Sequence, residues 1–157
     1  MPDESGVNTQ GRPLHLRGGG WAVPYDQMAD GHSRFVVLDE GLESCEKRGE
    51  IWCPPSSLEP SSVQLPDGRI ITYLRVCPSW NWDKAIHGKE IQGHIWKVTS
   101  DDELRTFCEP ITTNLRNPSG GIDIALGHSG RLAITYNDSY TLRLPLWVRR
   151  SAHSRSF

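Results

Sequence analysis

Residues able to do chemistry lie thinly along these 157 positions, and the familiar short motifs fall away on inspection. "GHSGR" (residues 127–131) has the outline of a G-x-S-x-G nucleophile elbow. Arg131 stands in the fifth place, however, and strand-like runs flank it where a strand-to-helix turn is required. "GGG" (residues 18–20) lacks the Lys-Ser/Thr of a phosphate loop and leads into no helical pattern. Cys45, Cys53, Cys77 and Cys108 form no CxxC pair and no zinc spacing with the six histidines. No metal or cofactor is expected, and the cysteines read as buried free thiols. Trp80 and Trp82, in "SWNWDKAIHG", fall in the longest loop, where their rings either stack on a sugar face or cap a sheet.

One loop pattern survives. "SDDELRTF" (residues 100–107) fits S-x-D-x-G-x-T-W at Ser100, Asp102, Thr106 and the aromatic Phe107, with Leu104 in place of the glycine. Short polar side chains satisfy loose backbone N–H groups in a tight loop, and the terminal aromatic plugs the loop onto a core. "FVVLDEGLES" sets Asp39 and Gly41 after an apolar strand, and "WVRRSAHSRSF" keeps Ser151 but has His153 in place of the aspartate.

Such loops need strands to hang from, and the chain supplies them in one repeated phrase. "SSVQLPDGRIITYLRV" (residues 61–76) is two apolar runs hinged at Asp67-Gly68, a hairpin signal. "LHLRGGGWAVPYD" (14–26) and "IDIALGHSGRLAITYND" (122–138) repeat it, with turn glycines Gly20, Gly68 and Gly130 spaced 48 and 62 residues apart. Spacing of that order suggests propeller blades. "GHIWKVTS" alternates as a further strand, with Trp96 and Val98 on one face. An apolar content of 36% with 15 Gly and 11 Pro favours many short strands over helices.

Charge and hydropathy exclude other classes. A net charge of −2 gives no basic field for nucleic acid, and Arg143, Arg149, Arg150 and Arg155 read as a solvated strand face and tail. No stretch approaches the roughly 18 apolar residues of a membrane span. The polar start "MPDESGVNTQG" has no apolar signal core, so the chain as written reads as cytosolic unless its true start lies upstream.

The boxes and hairpins together resemble the Asp-box, or bacterial neuraminidase (BNR), repeats of the sialidase superfamily. "TNLRNPSGGIDIALGHSGRLAITYNDSYTLRLPLWV" is similar to a run found in neuraminidases with BNR repeats, and "RPLHLRGGGWAVPYD" to an early segment of that group. The resemblance implies an all-β fold, part of a six-bladed β-propeller with about three blades of four-stranded antiparallel sheet, near residues 12–58, 59–115 and 116–157. A complete propeller needs about twice this length, so the chain reads as a fragment. An open half-propeller exposes two sheet faces, an association liability.

The resemblance also implies a site. Sialidases use a tyrosine nucleophile activated by a glutamate, with arginines gripping the sugar carboxylate. Glu59, in Glu59-Pro60, matches the catalytic glutamate; Arg75 and Arg143 match two arginines of the carboxylate clamp. Asn117, Asp123 and Asn137 lie in the neuraminidase-like run, where they either face substrate or stabilise turns. The tyrosine is expected beyond Phe157, and Arg12 or Asp26 are loose candidates for an early arginine and an acid aspartate. Two functions stay open: an exo-sialidase-type glycoside hydrolase acting on glycans, inactive as this piece alone, or a non-catalytic propeller that binds glycans or protein. Members of the resembled group are often exported, which leaves the compartment open.

Overall fold

A computed structural model describes residues 6–76, 93–140 and 142–151, and among these the only regular structure is β-strand. The first sheet comprises β1 (Val7–Asn8), β2 (Leu14–His15), β3 (Trp21–Gln27), β4 (His32–Leu38) and β5 (Cys45–Ile51). β1 and β2 pair with opposite ends of β3, so together they make one split inner column. The second sheet runs β6 (Leu58–Gln64), β7 (Ile70–Arg75), β8 (Gly93–Ser100) and β9 (Ile111–Asn117). The third runs β10 (Asp123–Leu126), β11 (Leu132–Asn137) and β12 (Leu146–Arg150). Every pairing is antiparallel and every sheet advances in chain order, the meander of a propeller blade.

The three repeated phrases are the inner hairpins β2–β3, β6–β7 and β10–β11, and their turn glycines Gly20, Gly68 and Gly130 all take positive φ. Side chains of the other types rarely adopt that backbone, which is why glycine recurs there. Alternation along the strands then fills two cores. Phe35, Val37 and Ile51 of the first sheet meet Ile70, Leu74 and Val98 of the second. Val63, Ile71, Tyr73 and Ile95 of the second meet Ile124, Ile134 and Tyr136 of the third. The middle sheet is therefore covered on both faces, while the outer two are covered on one.

The 100–107 loop is closed by its own side chains. Ser100 Oγ donates to Asp102 Oδ1 and accepts from the Leu104 N–H, and Asp102 accepts from the Arg105 and Thr106 N–H groups and the Thr106 hydroxyl. Phe107 stacks on Phe35, centroids 6.0 Å apart. The thiols differ from expectation. Cys53 is buried, but Cys45 and Cys108 are exposed, because Cys45 lies on the outer edge strand and Cys108 on the loop leaving the box. Cys77 and the Trp80–Trp82 loop lie outside the described residues.

Candidate functional site

The glycine turns and the 100–107 loop crowd one end of the sheets; the ends of β3, β7 and β11 and the start of β6 form the other. There β6 carries a bulge. Leu58 pairs with Arg75 and Ser61 with Tyr73, so one extra residue enters at Glu59-Pro60. Pro60 has no N–H to give a ladder, which suits it to a bulge. Glu59 adopts φ 50°, a conformation that costs about 1–3 kcal/mol for a residue with a side chain. The bulge turns Glu59 onto the end of β7, where Arg75 Nη1 donates to Glu59 Oε1 at 2.5 Å. Both side chains are under a tenth exposed. Asp26, near the end of β3 and 1% exposed, accepts the Glu59 N–H at 2.9 Å. Its hydrogen bond braces the strained bulge.

Arg143 reaches the same rim from the loop after β11. Asn137 Nδ2 donates to the Arg143 carbonyl at 2.9 Å, and Arg143 Nη2 donates to the Ser119 carbonyl at 3.0 Å. The loop is tied down further by Tyr140, whose ring lies 5.5 Å from the Arg116 guanidinium and 5.6 Å from the His94 ring. Arg116 in turn pairs with Asp138 at 2.8 Å. Asp26, Glu59, Arg75 and Arg143 thereby line one concavity of about 390 Å³. Its remaining wall is uncharged and comes mainly from Val7, Asn8, Gln10 and Met28.

The electrostatics of this concavity are unsettled by design of the residues around it. Burial pushes the Glu59 carboxyl above the ordinary carboxylate range; Arg75 pulls it back, Asp26 raises it again and Arg143 lowers it. Burial likewise raises Asp26, opposed by the Glu59 N–H and by Arg75. Among the described residues, Asp26 Oδ1, Glu59 Oε2, Arg75 Nε and Ser119 Oγ are buried without a hydrogen-bond partner. Unsatisfied buried polar atoms are uncommon and costly, about 1–3 kcal/mol each. Three of them belong to Asp26, Glu59 and Arg75, which line the concavity, and the fourth to Ser119, whose carbonyl holds Arg143. Two guanidinium groups suit a carboxylate, and burial holds both carboxyls above the ordinary range.

Of the residues singled out in the sequence, Glu59, Arg75 and Arg143 come together here. Asn117 and Asn137 lie close by but are engaged with backbone. Asn117 exchanges hydrogen bonds with Gly120 N–H and C=O, and Asn137 holds the Arg143 segment. Asp123 is elsewhere: it pairs with Arg12 at 3.0 Å, accepts from Ser61 Oγ, and lines a separate concavity between the inner strands. Asp26, a loose candidate in the sequence, lines this concavity, whereas Arg12, the other loose candidate, pairs with Asp123 elsewhere; the wall from Val7 to Gln10 escaped sequence reasoning.

The family model "BNR repeat-like domain" matches residues 7–157. No curated protein matches the chain. Among solved structures, a protein of unknown function from Dyadobacter fermentans superposes with a TM-score of 0.69 at 14% identity, covering 92% of this chain and 37% of its own. Two structures of the NanB sialidase from Streptococcus pneumoniae, one of a mutant and one in complex with 2-[(3-chlorobenzyl)ammonio]ethanesulfonate, give 0.68 at 16% identity. They cover 90% of this chain and 21% of theirs, so this chain spans a minor part of the solved proteins it resembles. The shared fold is that of sialidase propeller blades, a partial six-bladed propeller of about three sheets.

Proposed function

The chain belongs to the BNR repeat-like domain family, and from that premise we propose that its concavity is part of the sugar-binding face of a sialidase-type exo-glycosidase. Arg75 and Arg143 grip the carboxylate of a terminal sialic acid or related acidic sugar, by paired charge-assisted hydrogen bonds. Glu59, held by Arg75 and braced by Asp26, is the proton acceptor for a nucleophile, because its raised carboxyl exchanges protons closer to neutral pH than an exposed glutamate does. The observation that carries this reading is the buried Glu59–Arg75 pair opening, with Arg143, onto one concavity whose buried polar atoms are unsatisfied. Asn137 and Asn117 serve by shaping the loops around Arg143 and Gly120 rather than by touching sugar.

A second reading has its own support. Among the described residues lining the concavity there is no tyrosine, which favours binding of an acidic glycan without turnover. Titration of the chain with N-acetylneuraminic acid, followed by amide chemical shifts, separates the outcomes. Binding near the millimolar range, about −4 kcal/mol, with shifts confined to the rim and lost in Arg143→Ala, is the expected result. Absence of rim shifts, or binding indifferent to Arg143, overturns the acidic-sugar reading. Release of a fluorogenic sialoside's dye by this chain, abolished in Glu59→Gln, would overturn the binding-only reading.

A further inference from the structure

The inner column of the first sheet is broken in one place. It pairs with β3 at Trp21 and Ala22 and again at Asp26 and Gln27, and skips Val23, Pro24 and Tyr25. Pro24, which has no N–H to give a ladder, lies in that gap. Gly11 sits against it. A Cβ built on Gly11 would lie 2.4 Å from Pro24 Cγ and 2.3 Å from the Pro60 carbonyl oxygen, whereas real Cβ atoms essentially never come within 3.0 Å of such neighbours. Gly11 is not among the glycines with positive φ, so space rather than backbone conformation excludes a side chain there. Nor can the neighbours yield cheaply. One is main chain and the other a ring fixed in a strand.

The two prolines flank the acid pair. Pro24 shares a face of β3 with Asp26, two residues on, and Pro60 follows Glu59 in the bulge of β6. Gly11 also closes the segment whose Val7, Asn8 and Gln10 wall the concavity. We propose that Gly11 is a positioning residue of this rim. Lacking a side chain, it seats the wall segment between Pro24 and Pro60, at the spacing that lets Asp26 accept the Glu59 N–H at 2.9 Å. A methyl at this position has to part Pro24 from Pro60. The hydrogen bond from Glu59 to Asp26 spans the same two strands and opens with them. Only the consequence for ligand affinity rests on the acidic-sugar reading; the consequence for the acid pair does not.

Amide hydrogen exchange on the whole chain tests this in Gly11→Ala. Gly127→Ala is the control, since a Cβ there would meet nothing nearer than 3.5 Å. The Ile134 amide, in the ladder of the far core, reports any general loss of stability. Beyond that loss, the Glu59 amide of Gly11→Ala is expected to exchange at least about tenfold faster, and that of the control to stay unchanged. Burial raises the Asp26 carboxyl and the Glu59 N–H is the foremost group opposing it. Its titration, followed by carbon-13 NMR, should therefore move up by about one pH unit in Gly11→Ala. N-acetylneuraminic acid should bind at least about tenfold more weakly, within what a misplacement of about 1 Å costs. Glu59 exchange that changes no more than Ile134 does reduces Gly11 to packing and overturns the proposal. So does an Asp26 titration that stays or falls, or an unchanged affinity where the unaltered chain binds. Faster Glu59 exchange with no rim binding in either chain sinks the acidic-sugar reading and leaves the positioning role standing. Should Gly11→Ala fail to fold, Pro24→Ala, which removes the ring carbon that Gly11 rests against, decides. Quickened Glu59 exchange sustains the proposal, and unaltered exchange rejects it.

Discussion

Replacing Arg75 by methionine keeps most of the side chain's length and removes its charge. The Glu59 carboxylate would then lose its 2.5 Å partner while remaining 8% exposed, and Asp26, 1% exposed, would lose the nearest cation. Removing one member of a buried pair strands a charge, and such changes cost about 3–5 kcal/mol. Glu59→Gln should cost less, about 1–3 kcal/mol, because the amide oxygen still accepts from Arg75 and Asp26 remains as a counter-ion. The double variant should be more stable than the two losses added together predict, since it leaves no stranded charge on either residue. The pH dependence has a definite sign. Both carboxyls are already raised by burial, and loss of Arg75 raises them further. A raised carboxyl contributes stability that is complete below its unfolded value, about 4, and is lost as pH rises through its folded value. The deficit of Arg75→Met should therefore be largest at pH 8 and shrink toward pH 5. Urea unfolding followed by tryptophan fluorescence at the two pH values measures it. A deficit under about 1 kcal/mol, or one that does not change with pH, would mean the pair is effectively solvated and would refute the reasoning.

The remaining expectations are narrower. Asp102→Asn should cost about 1 kcal/mol after allowance for its partial exposure. Because the Thr106 hydroxyl, chiefly, holds the Asp102 carboxyl down at about 2, the wild type's advantage is complete above about pH 4 and disappears as pH falls toward 2; equal melting temperatures at pH 7 would contradict it. Native-state alkylation read by mass spectrometry should modify Cys45 and Cys108 and spare Cys53, whose thiol burial pushes up to about 12. Labelling of Cys53 at the rate of the other two before unfolding would show that the first core is open.

The sequence made the hairpins legible because a turn needing positive φ and an alternating strand both leave marks within a few residues. Gly68 between two apolar runs is such a mark, and so is the Ser100–Phe107 box, whose hydrogen bonds all close within the loop. The site was legible only in part. The resemblance pointed to Glu59 and Arg75 at the two ends of one hairpin and to Arg143 one blade on, which the structure sets in the loop after β11 rather than at its end. Asp26 was no more than a loose candidate because nothing near it distinguishes a buried carboxylate from a solvated strand end; its partner is a backbone N–H 33 residues away. β1 was invisible, being two residues in a polar segment that pair with Gln27 and Asp26 only through tertiary contact. Cys45 was misjudged for the same reason in reverse. Thiols are usually buried, but "CEKRGE" carries charges at successive positions, as an outermost strand does.

The two ends of the sheets treat the same residue type in opposite ways, and the contrast supports the proposed site. At the turn end, Asp102 has both oxygens occupied by three N–H and hydroxyl partners from its own loop, with Ser100 adding another, and its carboxyl is depressed. A ligand arriving there would have to displace bonds already made. At the other end, Glu59 and Asp26 are more deeply buried, each keeps an oxygen without a partner, and both carboxyls are raised. Local sequence cannot satisfy them, because the strained bulge at Glu59 holds one of them turned toward Arg75 and the concavity. The interior packing on both faces of the middle sheet is what sustains that arrangement; each buried apolar side chain contributes about 1.5–3 kcal/mol, enough for a few to offset the strain and the orphaned atoms. The rim that keeps orphaned polar atoms is also the one where Arg143 supplies the second cation.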